Sequence, residues 1–117
     1  MIDLNERLFK FSVDAILFLI KIKNIPEYSI IKYQLTKAST SSCANYEEAQ
    51  AASSKADFLN KVRIALREMR ESNYWMRVIN CIRIGDFIEG IRLQNESEEL
   101  KKILGSIASK VAKELGD

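Results

Sequence analysis

Apolar residues recur along the chain in alternating steps of four and three, the spacing of helices that pack against other helices. Four such series cover residues 3–24, 27–52, 55–84 and 96–115. The pattern leaves open whether the last helix already begins near Phe87, because Gly90 weakens a continuous helix by about 1 kcal/mol. No segment alternates apolar and polar residues with the period of two that strands require. We therefore predict an all-α fold, an antiparallel up-down-up-down four-helix bundle.

The breaks between the helices are short and carry recognisable signals. Pro26 ends the first helix, since the residue before proline avoids the helical conformation. Ser54 and Asp57 resemble a capping box at the start of the third helix, and Gly85 is placed to end it. With 117 residues, 4 glycines and 1 proline, the chain has room for one domain of long elements, residues 1–117.

Polar residues occupy positions between the second and third helices where apolar ones are expected. Ser42 and Asn45 lie on the seam of the second helix, and Glu68 and Glu71 flank the seam of the third. We predict that these four residues form a structural polar network that fixes the register of the two helices. The alternative is a carboxylate pair for acid–base chemistry or metal binding. Di-iron bundles use Glu-x-x-His motifs for this purpose, and the chain has no histidine.

The C-terminal half of the first helix is apolar almost all round. One seam of a bundle cannot bury all of these side chains, so we predict that some of them contact another subunit. Deep burial within the monomer is the alternative. The predicted oligomer interface consists of Ile16, Leu17, Leu19 and Ile20.

Basic residues are concentrated in the third helix, although the net charge of the chain is only +2. A basic helical surface attracts phosphates, whereas the simpler interpretation is a solvated helix face. The candidate nucleic-acid contacts are Lys55, Lys61, Arg63, Arg67, Arg70 and Arg77. Tyr74 and Trp75 lie among them, and can stack on unpaired bases or, as we favour, fill the core.

Composition argues against several other classes of function. Two cysteines without a CxxC motif, and no histidine, make a metal site or a bound cofactor unexpected. The beginning of the chain lacks the pattern of a signal peptide, and no apolar run is long enough to span a membrane. We therefore expect a cytoplasmic protein without a membrane partner.

Residues 41–75 resemble the bacterial four-helix bundle proteins, also called 23S rRNA intervening-sequence proteins. The family pattern has the form SxxANYxEAxxAxS followed by DFxxKxxxALxExxExxYW. The matching positions are Ser41, Ala44, Asn45, Tyr46, Glu48, Ala49, Ala52, Ser54, Asp57, Phe58, Lys61, Ala65, Leu66, Glu68, Glu71, Tyr74 and Trp75. The resemblance implies a left-handed antiparallel bundle that assembles as a ring-shaped homopentamer, and it implies no active site. Some relatives are encoded within insertions in ribosomal RNA genes.

Two functions are compatible with these observations. The first is a non-enzymatic oligomeric scaffold that associates with RNA or a ribonucleoprotein, based on the basic third helix and the resemblance. The second is a protein–protein interaction module that does not bind nucleic acid, based on the surplus apolar surface of the first helix. A hydrolase or metal enzyme that uses Glu68 and Glu71 is the least favoured, because no nucleophile motif accompanies them.

Overall fold

Four antiparallel helices make up the computed structural model, which describes residues 3–116. They are α1 (Leu4–Leu19), α2 (Pro26–Gln50), α3 (Lys55–Ile82) and α4 (Phe87–Glu114). Each helix packs against its neighbours in sequence, and α4 returns to α1, so the four form a closed bundle 46 Å long and 25 by 23 Å across. No strand occurs among the described residues. The predicted all-α, up-down-up-down four-helix bundle is confirmed.

The first helix is shorter than the sequence predicts. Apolar spacing extends the prediction to residue 24, but α1 ends at Leu19, and the Ile22 amide donates to the Leu19 carbonyl in a final turn. Lys32 holds the following loop by donating from its Nζ to the Ile22 carbonyl and to Asn24 Oδ1, both at 2.7 Å. Ile22 is buried from this loop, with 5% of its surface exposed. The periodicity therefore located a core residue correctly and assigned it to the wrong element.

The connection between α3 and α4 is tighter than predicted. The third helix ends at Ile82, two residues before the predicted end, because Arg83 adopts a left-handed conformation with φ of 60°. Gly85 follows with φ of 79°, and a Cβ atom there would lie 2.7 Å from Cζ of Phe18. Asp86 then caps α4, its carboxylate accepting from the Glu89 amide at 3.0 Å. α4 therefore begins at Phe87, the earlier of the two starting points that the sequence left open.

The turn between α2 and α3 follows the sequence signal closely. Ser54 Oγ accepts from the Asp57 amide at 3.1 Å, as a capping box requires. The carboxylate of Asp57 accepts in return from the Ser53 amide at 3.3 Å. The bond to Ser54 satisfies an amide that the first turn of a helix leaves without a partner, and α3 begins at the predicted residue.

Small polar side chains cross-link the interior of the bundle. Ser12 of α1 donates to the Ser39 carbonyl of α2 at 2.9 Å, and Ser42 of α2 donates to the Ala65 carbonyl of α3 at 2.8 Å. Between α1 and α4 the links are ion pairs, Arg7 with Glu96 and Arg92 with Asp14, both at 2.8 Å. The core around these links consists mainly of buried aliphatic side chains with Phe11 and Phe18. Because a hydrogen bond depends on direction and apolar contact does not, the links favour one alignment of the helices.

Candidate functional site

Four arginines lie on one outer face of α3. Arg63, Arg67, Arg70 and Arg77 are all exposed, and we call them the arginine row. Their separations of four, three and seven residues keep them on one side of a helix with 3.6 residues per turn. The other two predicted contacts do not belong to the row. Lys61 is half-buried and rotated by about 160° from Arg63 around the helix axis. Lys55 lies about two turns before Arg63, rotated by about 80°, and pairs with Glu114 of α4 at 3.4 Å.

Arg77 is oriented by a chain of hydrogen bonds that runs into the interface between α3 and α4. Its Nε donates to Oδ1 of Asn73 at 3.1 Å, and Nδ2 of Asn73 donates to Oγ of Ser97 at 3.0 Å. Ser97 in turn donates to the Gln94 carbonyl at 2.7 Å. Asn73 and Ser97 were missed by the sequence analysis. The sequence could have indicated both residues, because they occupy seam positions that are usually apolar, and a buried polar side chain there needs a hydrogen-bond partner.

Tyr74 is set into the arginine row with its ring held on two sides. The Trp75 ring packs edge-on against it, with 4.9 Å between centroids and 77° between planes. The guanidinium carbon of Arg77 lies 5.8 Å from the Tyr74 centroid, within the range of a cation–π contact. Trp75 is packed against the core, as favoured from the sequence, but its buried indole N–H has no hydrogen-bond partner among the described residues. Tyr74 differs from it, because 48% of its surface is exposed.

Basic charge continues from the arginine row onto α4. The pKa of Glu98 lies below its ordinary value, because Lys101 donates to its carboxylate and the charges of Lys102 and Arg77 add to the effect. The ammonium of Lys101 lies 3.1 Å from the Glu98 carboxylate. One carboxylate therefore lies within the influence of three cations, one of them Arg77 of the arginine row.

The four residues of the predicted polar network make separate contacts. Ser42 is fully buried and links α2 to the backbone of α3. The amide of Asn45 instead donates within α2, to the Ser41 carbonyl at 2.9 Å and to Ser41 Oγ at 3.3 Å. A local backbone acceptor four residues earlier satisfies this amide without help from α3. The role of these residues in fixing register stays a prediction, carried by Ser42 rather than Asn45.

Glu68 and Glu71 lie one turn apart on α3, close enough for Glu71 to affect the protonation of Glu68. Burial raises the pKa of Glu68 above its ordinary value, and the hydrogen bond and charge of Glu71 raise it further. Arg67 and Lys37 oppose this shift with their positive charges. No group of three or more ligating side chains suitable for a metal ion occurs in residues 3–116. These two neighbouring carboxylates, at the edge of the α2–α3 seam, therefore disfavour the ionisation of Glu68.

The predicted oligomer interface divides into exposed and buried residues. Leu17 and Ile20 are exposed by 51% and 66%, and Ile16 is half-buried beside a groove between α1 and α2. Leu19 is only 2% exposed and belongs to the core of the monomer, so its assignment to an interface is wrong. The reason is geometric, because residue 19 is four positions from Ala15 and faces inward with it. Phe9 and Val13 extend the exposed apolar face of α1 toward its N-terminus.

Comparison with known proteins places this bundle in a family. The family model of the 23S rRNA-intervening sequence proteins matches residues 4–106, which span all but the end of α4. The chain belongs to the 23S rRNA-intervening sequence protein family. The predicted resemblance is thereby confirmed. No curated protein matches the chain.

A solved structure supports the membership of the 23S rRNA-intervening sequence protein family. It is a protein of unknown function from the S23 ribosomal protein family of Bacteroides thetaiotaomicron, with 30% sequence identity and a TM-score of 0.79. The match covers 91% of this chain and 98% of the other. Within residues 3–116 of this family member, no helix combines the length and apolarity needed to cross a bilayer.

Proposed function

We propose that this protein is a non-enzymatic cytoplasmic scaffold that associates with RNA or a ribonucleoprotein through the outer face of α3. The observation that carries the proposal is the arginine row, which presents several exposed guanidinium groups on one face. Guanidinium binds phosphate in a two-pronged geometry, so arginines are favoured where nucleic-acid backbones are contacted. The family name, which refers to ribosomal RNA, supports the same partner.

The scaffold is proposed to act as a homo-oligomer, with the pentameric ring that the family resemblance implies. The support is the exposed apolar face of α1, where Leu17 and Ile20 lie beside Phe9 and Val13. Contiguous apolar surface on a small protein usually marks an interaction site. Assembly would repeat the arginine row once per subunit, and linked weak contacts gain affinity because later contacts become intramolecular.

RNA binding is tested by filter binding of structured RNA across a series of salt concentrations. The expected result is measurable affinity at low salt that decreases linearly on a logarithmic plot, because bound cations are released from the phosphates. The double variant Arg67→Gln with Arg70→Gln should weaken binding and flatten that slope. The matched control, Lys110→Gln with Lys113→Gln on the exposed end of α4, should leave the slope nearly unchanged. Absence of affinity at low salt would reject the proposal.

The second candidate is a protein–protein interaction module without nucleic-acid binding. The specific observation in its favour is the apolar face of α1, together with Phe87 and Ile88, which are exposed at the start of α4. Affinity purification from lysate with and without nuclease treatment separates the two functions. A partner that persists after nuclease treatment, combined with no RNA affinity of the purified protein, would favour this alternative.

A further inference from the structure

The arginine row and Tyr74 together form a straight, narrow surface along α3. From Arg63 to Arg77 the row covers 14 residue steps, which at 1.5 Å per residue is about 21 Å. Tyr74 lies between Arg70 and Arg77 on the same face, and its ring is the large aromatic surface exposed there. Arginines of the row therefore lie on both sides of the Tyr74 ring along the helix. A nucleic-acid strand could place its phosphates against these arginines and turn one base onto the ring between them.

The ring of Tyr74 is fixed in position before any ligand binds. Trp75 packs against the ring in a T-shaped arrangement, and Arg77 lies over it while donating to Asn73. Asn73 is itself only 3% exposed and bonded to Ser97, so the support extends into the core. A rigid aromatic side chain loses little conformational freedom when a ligand stacks on it. The geometry is therefore that of a stacking platform rather than a mobile surface tyrosine.

The packing of α3 prevents it from acting as a recognition helix in a duplex groove. Both flanks of α3 are covered, by α2 and by α4, in a bundle that is 25 by 23 Å across. The major groove of B-form DNA is about 12 Å wide, and that of A-form RNA is deep and narrower still. The row can therefore contact a duplex only from outside, along its phosphates and, in RNA, across the shallow minor groove. In that position Tyr74 finds no base to stack on, because paired bases are already stacked on each other.

We infer that the arginine row with Tyr74 binds single-stranded RNA in preference to duplex RNA, with an unpaired base stacked on Tyr74 and neighbouring phosphates held by the arginines. This inference rests on the proposed function and specifies its ligand. Stacking on Tyr74 contributes only to the single-stranded complex. The arginines contribute to both complexes, since phosphates are present in both.

The test measures the binding of two fluorescent RNAs by anisotropy. One is an unstructured single strand of about 12 nucleotides, within the site size of single-strand binding proteins, and the other is a hairpin with a similar number of phosphates. Tyr74→Leu should weaken single-strand binding by roughly 5- to 150-fold, the range for loss of one aromatic–base stack, and change hairpin binding by less than about twofold. Tyr74→Phe should retain the preference, because it keeps the ring. Tyr33→Leu is the matched control, an exposed tyrosine on α2 outside the row.

The possible outcomes separate this inference from the proposed function. Equal affinity of the wild type for both RNAs, with no effect of Tyr74→Leu, would overturn the inference while RNA binding stands. Failure of both RNAs to bind at low salt would overturn both. Loss of hairpin binding in Tyr74→Leu by the same factor as single-strand binding would also overturn the inference, after circular dichroism has shown that the variant is folded.

Discussion

Gly90 is the most informative position at which to perturb the bundle. It lies buried inside α4, where alanine is ordinarily more stable than glycine by about 1 kcal/mol. Here an added Cβ atom would overlap with Oδ1 of Asn80 on α3. Asn80 cannot move without loss, because its Nδ2 donates to the Gly90 carbonyl at 3.0 Å and to Oε1 of Gln94 at 2.8 Å. Gly90→Ala therefore stabilises α4 as an isolated helix and destabilises its contact with Asn80 of α3.

The effect of Gly90→Ala on stability should have opposite signs in the wild type and in an Asn80→Ala variant. Displacing Asn80 breaks two neutral hydrogen bonds, each worth about 1 kcal/mol, and this exceeds the gain in helix propensity. Gly90→Ala should thus destabilise the wild type by about 1 kcal/mol. In an Asn80→Ala background the obstruction is gone, and the next neighbour of the new Cβ is Phe18 Cζ at 3.5 Å, an ordinary contact. Gly90→Ala should then stabilise by about 1 kcal/mol, a coupling of about 2 kcal/mol.

The assay is urea denaturation followed by far-UV circular dichroism at one fixed protein concentration, since assembly would make stability depend on concentration. Gly105→Ala is the matched control in both backgrounds. Its added Cβ would have only Leu66 Cδ1 near it, at 4.0 Å, so it should stabilise by up to about 1 kcal/mol in each. If Gly90→Ala stabilises equally in the presence and absence of Asn80, the reasoning about this interface is refuted.

Three further predictions follow from other contacts. Ser42→Ala should lower the free energy of unfolding by about 1 kcal/mol, because it removes the bond to the Ala65 carbonyl, whereas the exposed Ser109→Ala should have little effect in the same urea titration. Glu68→Gln should raise stability at neutral pH by about 0.2–0.5 kcal/mol, the size of a like-charge helix pair. Folding raises the pKa of Glu68, so protonated Glu68 favours the folded state. This stabilisation is fully present below the pKa of the unfolded chain and is lost as the pH rises through the pKa of the folded protein. Thermal melts at acidic and neutral pH should therefore show the advantage of the variant only at neutral pH, and a variant less stable there would contradict the shift. Leu17→Asp should lower the mass measured by light scattering without lowering the melting temperature, whereas Leu19→Ala should destabilise the monomer by about 2–5 kcal/mol. Unchanged mass in Leu17→Asp would exclude that residue from a subunit interface.

The four helices could be predicted from the sequence, because each buries one face and therefore repeats apolar residues every three or four positions, independently of the other helices. The Ser54 cap was equally predictable, since all its atoms lie within four residues. The end of α1 was not, because Lys32 of another helix stabilises the loop that replaces the final turns. Leu19 was misassigned for a related reason. An all-round apolar segment does not reveal which of its faces meets the rest of the chain.

The candidate site was predicted in part because the arginines share one helix, and helical phase alone sorts Arg67 and Arg70 from Lys61. Helical phase gives the face on which an arginine lies, but it does not show which exposed side chain is held in place. Arg77 is held by Asn73, whose two hydrogen bonds join the outer face of α3 to the interior of the α3–α4 interface. A polar residue in the seam thus serves the alignment of the helices and the orientation of Arg77 at once. It follows that Asn73→Leu should disturb the arginine row even where the bundle remains folded, which links the stability of the interior to the chemistry of the surface.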